Sequence, residues 1–198
     1  MSNFDLVARV FGIVLALAVS ELLKGFAKLW RVHHKVEETG GPPVHIGWLV
    51  PTLGALMLLD QVTFWFNFGQ IGPHVPTTLF GLAGFMAVIG TYFALSTFVF
   101  PADVKLWPDF DAYYFKVRGI VIGGLLAVNA VGFAYELALV LSGVELDAGD
   151  DGGGLIAHVM MLLTAIQLVL LLFVTGRRSS LALLLGAIVT TLGGDLPF

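Results

Sequence analysis

Asp60 lies in the middle of a long apolar stretch, where an ionisable side chain is costly. Gln61 and Thr63 follow it, but no basic residue is close in sequence. An aspartate side chain is too short to reach a membrane surface, and a charged residue at the membrane centre costs about 2.5–3.5 kcal/mol on insertion scales. It must therefore face protein or water. The sequence predicts either a proton or cation site at Asp60 or a buried hydrogen bond to another helix.

Glu136 and His158 occupy two later apolar stretches and are the next candidates for a site. Histidine changes its charge near neutral pH, and a buried carboxyl group can also exchange a proton, so both residue types suit proton-linked transport. We predict that Asp60, Glu136 and His158 line one cavity that opens outward. A structural pair between Glu136 and His158 is the alternative.

Glu21 and Lys24 are three residues apart in the first apolar stretch and would lie on neighbouring helix faces. One interpretation is an ion pair in which the stem of Lys24 extends toward the membrane surface. The other is an inner gate or ion site. The sequence leaves both open.

We predict no cofactor and no metal site. Gly154 precedes His158 by one helical turn and leaves room for a flat macrocycle, so haem or chlorophyll ligation at His158 is an alternative. A haem that bridges two helices needs a second histidine within the membrane, and we find none there, since His45 stands at the very edge of the second stretch. The chain has no cysteine, which excludes disulfides and thiolate ligands.

Familiar catalytic and nucleic-acid-binding patterns are missing from the sequence. It contains no G-x-S-x-G, no H-E-x-x-H and no glycine-rich phosphate loop followed by Lys-Ser/Thr. The net charge is −4 and no basic run exceeds two residues, so we expect no nucleic-acid partner.

Composition then fixes the kind of element that must position these residues. Hydrophobic residues make up 58% of the 198 residues and charged residues only 12%. A soluble domain carries about 25% charged residues, so this chain cannot cover a soluble surface. The composition predicts an all-α, polytopic integral membrane protein with one transmembrane domain, 1–198, embedded in a lipid bilayer.

A bilayer core about 30 Å thick is crossed by roughly 20 apolar residues of helix. Six stretches meet or approach that length. The predicted helices are 6–30, 45–68, 75–100, 114–142, 155–175 and 179–192. Residues 1–19 resemble a secretory signal peptide with an Ala16-Leu17-Ala18 site, but we interpret them as part of the first membrane helix.

Basic residues concentrate in alternate loops, and this pattern predicts the orientation. The first, third and fifth loops hold most of the lysines and arginines, whereas the second and fourth hold none. The positive-inside rule therefore places the basic loops in the cytoplasm and both chain ends outside it. We expect a multi-pass protein of a bacterial inner membrane.

The first and fourth predicted helices are similar in sequence. Residues 9–27 align without a gap on residues 116–134, and the same shift superposes Asp60 on Gln167. Small residues recur every four positions in both segments, a spacing at which helices in lipid pack closely. These helix-packing candidates are Gly12, Ala16, Ser20, Gly119, Gly123 and Ala127. The alignment predicts two inverted three-helix halves, 1–101 and 102–198; chance similarity between apolar helices is the alternative.

These observations favour a small ion- or proton-coupled transporter or channel that uses Asp60. A non-catalytic accessory subunit of a larger membrane complex is the second hypothesis, and an intramembrane enzyme is the third. Six short helices enclose little volume, so we expect a homo-oligomer or an assembly with other membrane subunits.

Overall fold

The computed structural model describes residues 3–34, 44–76, 78–144 and 153–194. Over these ranges the chain is all-helical, and the only β-type pairing is an isolated bridge between His45 and Asp109. The α-helices are α1 (Asn3–His33), α2 (Leu49–Ile71), α3 (Leu79–Val99), α4 (Phe110–Leu141), α5 (Gly153–Phe173) and α6 (Arg177–Gly194). Two short 3-10 helices, Gly72–His74 and Val104–Leu106, precede α3 and α4.

The six predicted helices are confirmed, and five of those described, α1 to α5, are long and apolar enough to cross a membrane. The exception is α6, which has 18 residues and begins with Arg177 and Arg178. Pro101 lies just beyond the end of α3, as expected for a residue that cannot continue a helix.

α1 and α3 run side by side in the same direction. The Phe11 and Phe85 rings are 4.8 Å apart between centroids, and farther along α1 the ring of Phe26 is 5.0 Å from that of Phe100, which directly follows α3. The register of the two helices is therefore constant over this length. Gly25 allows the close approach, because a Cβ atom there would overlap the Phe100 ring.

α2 is the central helix of the bundle and packs against α1, α3, α4 and α6. Most of its buried residues are apolar, with Val50, Leu53 and Met57 fully buried, but the polar Gln61 is fully buried as well. α5 and α6 form a tight antiparallel hairpin. Asp60 thus lies on the described helix that packs against the largest number of others.

One end of the bundle gathers the last turns of α1, α3 and α5 and the first turns of α2, α4 and α6; we call it the basic end. Lys28 of α1 reaches the carbonyls that follow α3, and Arg118 of α4 reaches the end of α5. The predicted grouping of the basic loops therefore agrees with the fold. Which side of a membrane this end faces stays a prediction.

The packing of the two halves differs. α1 packs extensively on α3, whereas the corresponding pair, α4 and α6, has much less contact. Gly25 touches Phe100, but at its aligned counterpart Gly132 an added Cβ atom would meet no heavy atom of the described residues within 4 Å. The helix packing gives the inverted repeat no support, and the repeat stays a prediction.

Candidate functional site

The carboxylate of Asp60 joins three helices. Tyr92 of α3 donates its hydroxyl hydrogen to Oδ2 at 2.6 Å, and the Asn129 amide of α4 donates to Oδ1 at 3.0 Å. Asp60 is the central residue of α2, so these bonds lie midway along a helix that can span a membrane. Both partners are uncharged, and in the described part of the chain no lysine, arginine or histidine contacts this carboxylate.

The second hydrogen bond of Asn129 fixes the orientation of its amide. Nδ2 also donates to the Leu125 carbonyl at 2.9 Å, one turn earlier in α4. If the amide were turned over, its oxygen would face that carbonyl, and two acceptors would meet. Asn129 is therefore held as a donor toward Asp60.

A second set of hydrogen bonds lies beside the first and also connects α2 with α3. Gln61 Nε2 donates to Ser96 Oγ at 2.9 Å, and the Ser96 hydroxyl donates to the Tyr92 carbonyl at 2.8 Å. Gln61 is fully buried, and its Oε1 has no hydrogen-bond partner among the described residues. A buried polar group without a hydrogen-bond partner typically lowers stability by about 1–3 kcal/mol. The packing around Gln61 must offset this cost.

We call Asp60, Gln61, Tyr92, Ser96 and Asn129 the acidic cluster. Its position depends on close contact between α3 and α4. A Cβ atom at Gly124 would lie 2.5 Å from Leu95 Cδ2, so any side chain there would have to displace Leu95. The Phe64 and Tyr92 rings pack at 5.2 Å, and Tyr92 is only 1% exposed. The phenol is thereby fixed in front of Asp60.

One side of the acidic cluster is open. Asp60 is half-buried and Asn129 is exposed, although Tyr92, Gln61 and Ser96 are buried. The carboxylate is therefore sealed toward α3 and accessible near α4.

A neutral cluster joins α5 and α6 in the same way. Thr190 donates to Gln167 Oε1 at 3.2 Å, and the Thr164 and Thr190 hydroxyls are 2.7 Å apart. Gly186 makes room for the Gln167 amide, which would lie 3.1 Å from a Cβ atom at that position. We call Thr164, Gln167 and Thr190 the neutral cluster; it connects helices without any ionisable group.

At the basic end, Asp111 and Arg177 tie together the first turns of three helices. Asp111 Oδ1 accepts from the Leu49 N–H at 3.3 Å, which places a carboxylate at the start of α2, and Oδ2 lies 3.6 Å from Arg177 Nη1. A negative charge at a helix N-terminus is favourable. Gly47 has no room for a side chain because Asp111 packs directly on it.

Arg177 also donates to Asp109 Oδ2 at 2.5 Å. Partial burial favours the neutral acid, but the Arg177 hydrogen bond and charge and the backbone N–H groups of Asp111 and Ala112 outweigh it. The pKa of Asp109 is consequently lowered from 3.8.

Two cations at the basic end donate to carbonyls at or just beyond the ends of neighbouring helices. Lys28 donates to the Pro101 and Ala102 carbonyls just after α3. Arg118 donates to the Leu171 and Val174 carbonyls at the end of α5. Because the C-terminus of a helix attracts positive charge, these contacts fix the basic end structurally.

Glu21 and Lys24 form the ion pair that the sequence allowed, with 2.8 Å between Nζ and Oε1. The Lys24 side chain is 68% exposed and that of Glu21 33%. The pair lies on α1, while the hydrogen bonds of Asp60 lead to α3 and α4. The structure thus does not join the Glu21–Lys24 pair to the acidic cluster, and a role as gate stays a prediction.

Glu136 and His158 lie away from the basic end, on α4 and α5. Glu136 is half-buried and His158 is exposed, and neither is among the groups that contact Asp60. Next to Glu136, the Tyr135 hydroxyl donates to the His74 carbonyl and so ties α4 to the segment before α3. The shared cavity with Asp60 and ligation of haem or chlorophyll by His158 both stay predictions.

The small residues of α1 and α4 have different surroundings. A Cβ atom at Gly12 would lie 3.4 Å from the Trp65 ring, whereas one at Gly119 or Gly123 would meet no heavy atom of the described residues within 4 Å. Ala16 and Ala127 are exposed, and Ser20 is half-buried. The small face of α4 therefore packs on no other described helix, and its packing role stays a prediction that requires a partner outside the described residues.

An open groove of about 400 Å³ runs along α1 next to Trp65. Its described lining includes Gly12, Ala16 and Ser20 but not Asp60. A smaller depression at the basic end, next to Phe100, does not include Asp60 either. Neither cavity is the outward cavity predicted from the sequence.

Sequence reasoning missed Tyr92 and Ser96, since neither is unusual in an apolar helix. Their separation of four residues puts both on one face of α3, and this was the available signal. Which helix that face meets depends on the packing.

Comparisons with protein-family models, with curated proteins and with solved structures found no match to this chain.

Proposed function

We propose that this protein is a small membrane transporter or channel in which Asp60 binds a proton or small cation during permeation. The observation that carries the proposal is the pairing of a mid-helix carboxylate with two neutral donors, Tyr92 and Asn129. A charge removed from water without a countercharge is strongly unfavourable. The carboxylate is stabilised when it takes up a proton or a small cation. A site that binds such an ion and releases it again can carry the ion along a pathway.

The neutral cluster argues against a purely structural role for Asp60. Thr164, Gln167 and Thr190 hold α5 to α6 without an acid. An asparagine at position 60 could accept from Asn129 through its oxygen and donate to Tyr92 Oη through its amide nitrogen, so contacts to α3 and α4 do not by themselves require an acid. The ionisable group therefore adds a binding capacity that helix packing does not need.

Access to Asp60 supports an oligomeric form of the proposal. The open side of the carboxylate lies beside exposed Asn129. In a single chain this side would meet lipid, where ionisable groups are rarely placed. A second protein surface next to α4 would enclose it and form the remaining wall of a pathway.

The direct test is flux through the purified full-length protein in liposomes. Proton, Na⁺ and K⁺ movement would be measured under imposed gradients for the wild type, Asp60→Asn and the matched acid-to-amide control Asp103→Asn. Asp103 is exposed and accepts a hydrogen bond from the Lys105 N–H at the basic end. We expect Asp60→Asn to lower flux at least about tenfold, because an amide cannot exchange a proton as a carboxyl does, and Asp103→Asn to conduct like the wild type. Wild-type flux in Asp60→Asn, or no flux of any of the three ions in the wild type, would contradict the proposal.

A second candidate function is that of an accessory subunit in a larger membrane complex. It is favoured by the exposure of α4 and α5. In the apolar 18-residue stretch of each helix, only 11% is buried inside the chain. Purification in mild detergent tests this candidate. A different protein that co-purifies in fixed stoichiometry, together with absent flux, would support the subunit; a pure, conducting oligomer would exclude it.

A further inference from the structure

We propose that the ion bound at Asp60 is a proton, and that Tyr92 is the partner whose hydrogen bond reverses when the proton binds. This inference rests on the proposed function and names its ion. It follows from the hydrogen atoms that face the carboxylate.

Asn129 presents hydrogen, not oxygen, to Asp60. Its Nδ2 is shared between Asp60 Oδ1 and the Leu125 carbonyl, and the second bond prevents the amide from turning over. A metal ion needs oxygen lone pairs directed at it, and Mg²⁺ or Ca²⁺ takes about six or more oxygen ligands. The N–H group at Oδ1 instead occupies the place of a cation.

Gln61 and Ser96, the other side chains of the acidic cluster, supply few further oxygen ligands for a metal ion. The Ser96 hydroxyl is committed to the Tyr92 carbonyl, and it accepts from Gln61 Nε2. The remaining acceptor, Gln61 Oε1, is one side-chain oxygen. Among the described residues no three His, Asp or Glu side chains lie together in a way that could hold a metal ion.

Tyr92 can accept as well as donate, so the bond at Oδ2 is the reversible one. When a hydronium ion on the open side beside Asn129 gives up a proton, one of its O–H bonds breaks and a new O–H bond forms on the Asp60 carboxylate, which loses its charge without any electron transfer. The new O–H donates to Tyr92 Oη across the 2.6 Å separation, and the Tyr92 hydroxyl turns its own hydrogen away. Release of the proton restores the original direction.

No other titratable group of the described residues interacts with Asp60. Of the helices packed on α2, α3 contributes Tyr92 and α4 contributes neutral Asn129, while Glu21 and Lys24 of α1 pair with each other. The α6 residue Thr190 belongs to the neutral cluster. The protonation of Asp60 is thus coupled to one phenol.

The experiment measures proton flux in liposomes whose only other cation is choline. We expect the wild type to conduct protons without Na⁺ or K⁺, and Tyr92→Phe to slow this flux about tenfold, because it removes the accepting hydroxyl. The matched control is Tyr113→Phe, which removes a hydroxyl that donates to the Phe98 carbonyl. It should conduct like the wild type.

Infrared difference spectra between high and low pH give a readout that does not depend on transport. The stretch of a protonated carboxyl should appear at low pH in the wild type, vanish in Asp60→Asn and shift in Tyr92→Phe but not in Tyr113→Phe. An unshifted band together with normal flux in Tyr92→Phe would overturn the role of Tyr92.

The outcomes separate this inference from the proposed function. Flux that requires Na⁺ or K⁺ and is lost in Asp60→Asn would overturn the proton and leave the proposed function intact. Flux that is unchanged in Asp60→Asn would overturn both the proton inference and the proposed function.

Discussion

The acidic cluster and the neutral cluster perform the same structural task with different chemistry. Asp60 connects α2 to α3 and α4 through Tyr92 and Asn129, whereas Gln167 connects α5 to α6 through Thr190. Hydroxyl and amide groups are sufficient for the second connection. Interhelical hydrogen bonds in membranes are worth about 0.6 kcal/mol on average, and their donors and acceptors need not be charged. The neutral cluster shows that two helices of this chain are joined without an acid.

The largest expected difference between the clusters is in transport. Thr164→Val removes one hydroxyl of the neutral cluster, and Asp60→Asn removes the charge of the acidic one. We expect proton flux in Thr164→Val to stay close to the wild type while Asp60→Asn loses at least about tenfold. Liposome flux and thermal melting, measured on the same preparations, check this. Equal flux losses in the two variants would show that the clusters do not differ in function.

A large change in stability should follow when the helix spacing at the acidic cluster is altered. Gly124→Leu would insert a side chain against Leu95, and overpacking of this kind costs typically about 1–3 kcal/mol. The neighbouring variant Gly123→Leu is a matched control, since a Cβ atom there would meet no heavy atom of the described residues within 4 Å. We expect a lower melting temperature for Gly124→Leu alone. If Gly123→Leu changes only the oligomeric state, the open face of α4 is an interface.

A smaller effect is expected from the Gln61–Ser96 hydrogen bond. Ser96→Ala leaves the buried Gln61 amide without its acceptor and should lower the free energy of unfolding by about 1 kcal/mol. Adding Gln61→Leu should recover part of this loss, because a buried polar group without a partner is then replaced by an apolar one. Denaturant unfolding of the single and double variants measures the coupling. Strictly additive losses would mean that the two side chains do not stabilise each other.

The smallest effect should come from the basic end, where the ion pair is partly exposed. The pKa of Asp109 is lowered in the folded chain, so its stabilising contribution is present above its ordinary value of 3.8 and is lost as the pH falls through the lowered pKa. Asp109→Asn should therefore destabilise the protein at neutral pH by at most about 1 kcal/mol. The difference from the wild type should vanish in acid. Melting temperatures at neutral and acidic pH test this, and a difference that grows in acid would contradict it.

The site was only partly predictable from the sequence, because its residues differ in how unusual they are within an apolar helix. Asp60 stands out since a charge in an apolar stretch is rare, and Glu21 with Lys24 was recognisable from helical spacing. Tyr92 and Ser96 resemble ordinary residues of an apolar helix. Glu136 and His158 have the right chemistry, but they are not among the contacts of Asp60.

The sequence by itself determined the membrane class, the six helices and the grouping of basic residues at one end. Hydropathy, chain length and charge are summed along the chain, so these features need no knowledge of which helices touch. Only the tertiary structure decided that Tyr92 and Asn129 meet Asp60, that Gln167 meets Thr190 and that the small face of α4 is left open. Helix neighbours and rotations are set by side-chain fit, such as Phe100 against Gly25 or Leu95 against Gly124, and a pattern of apolar residues does not encode that fit.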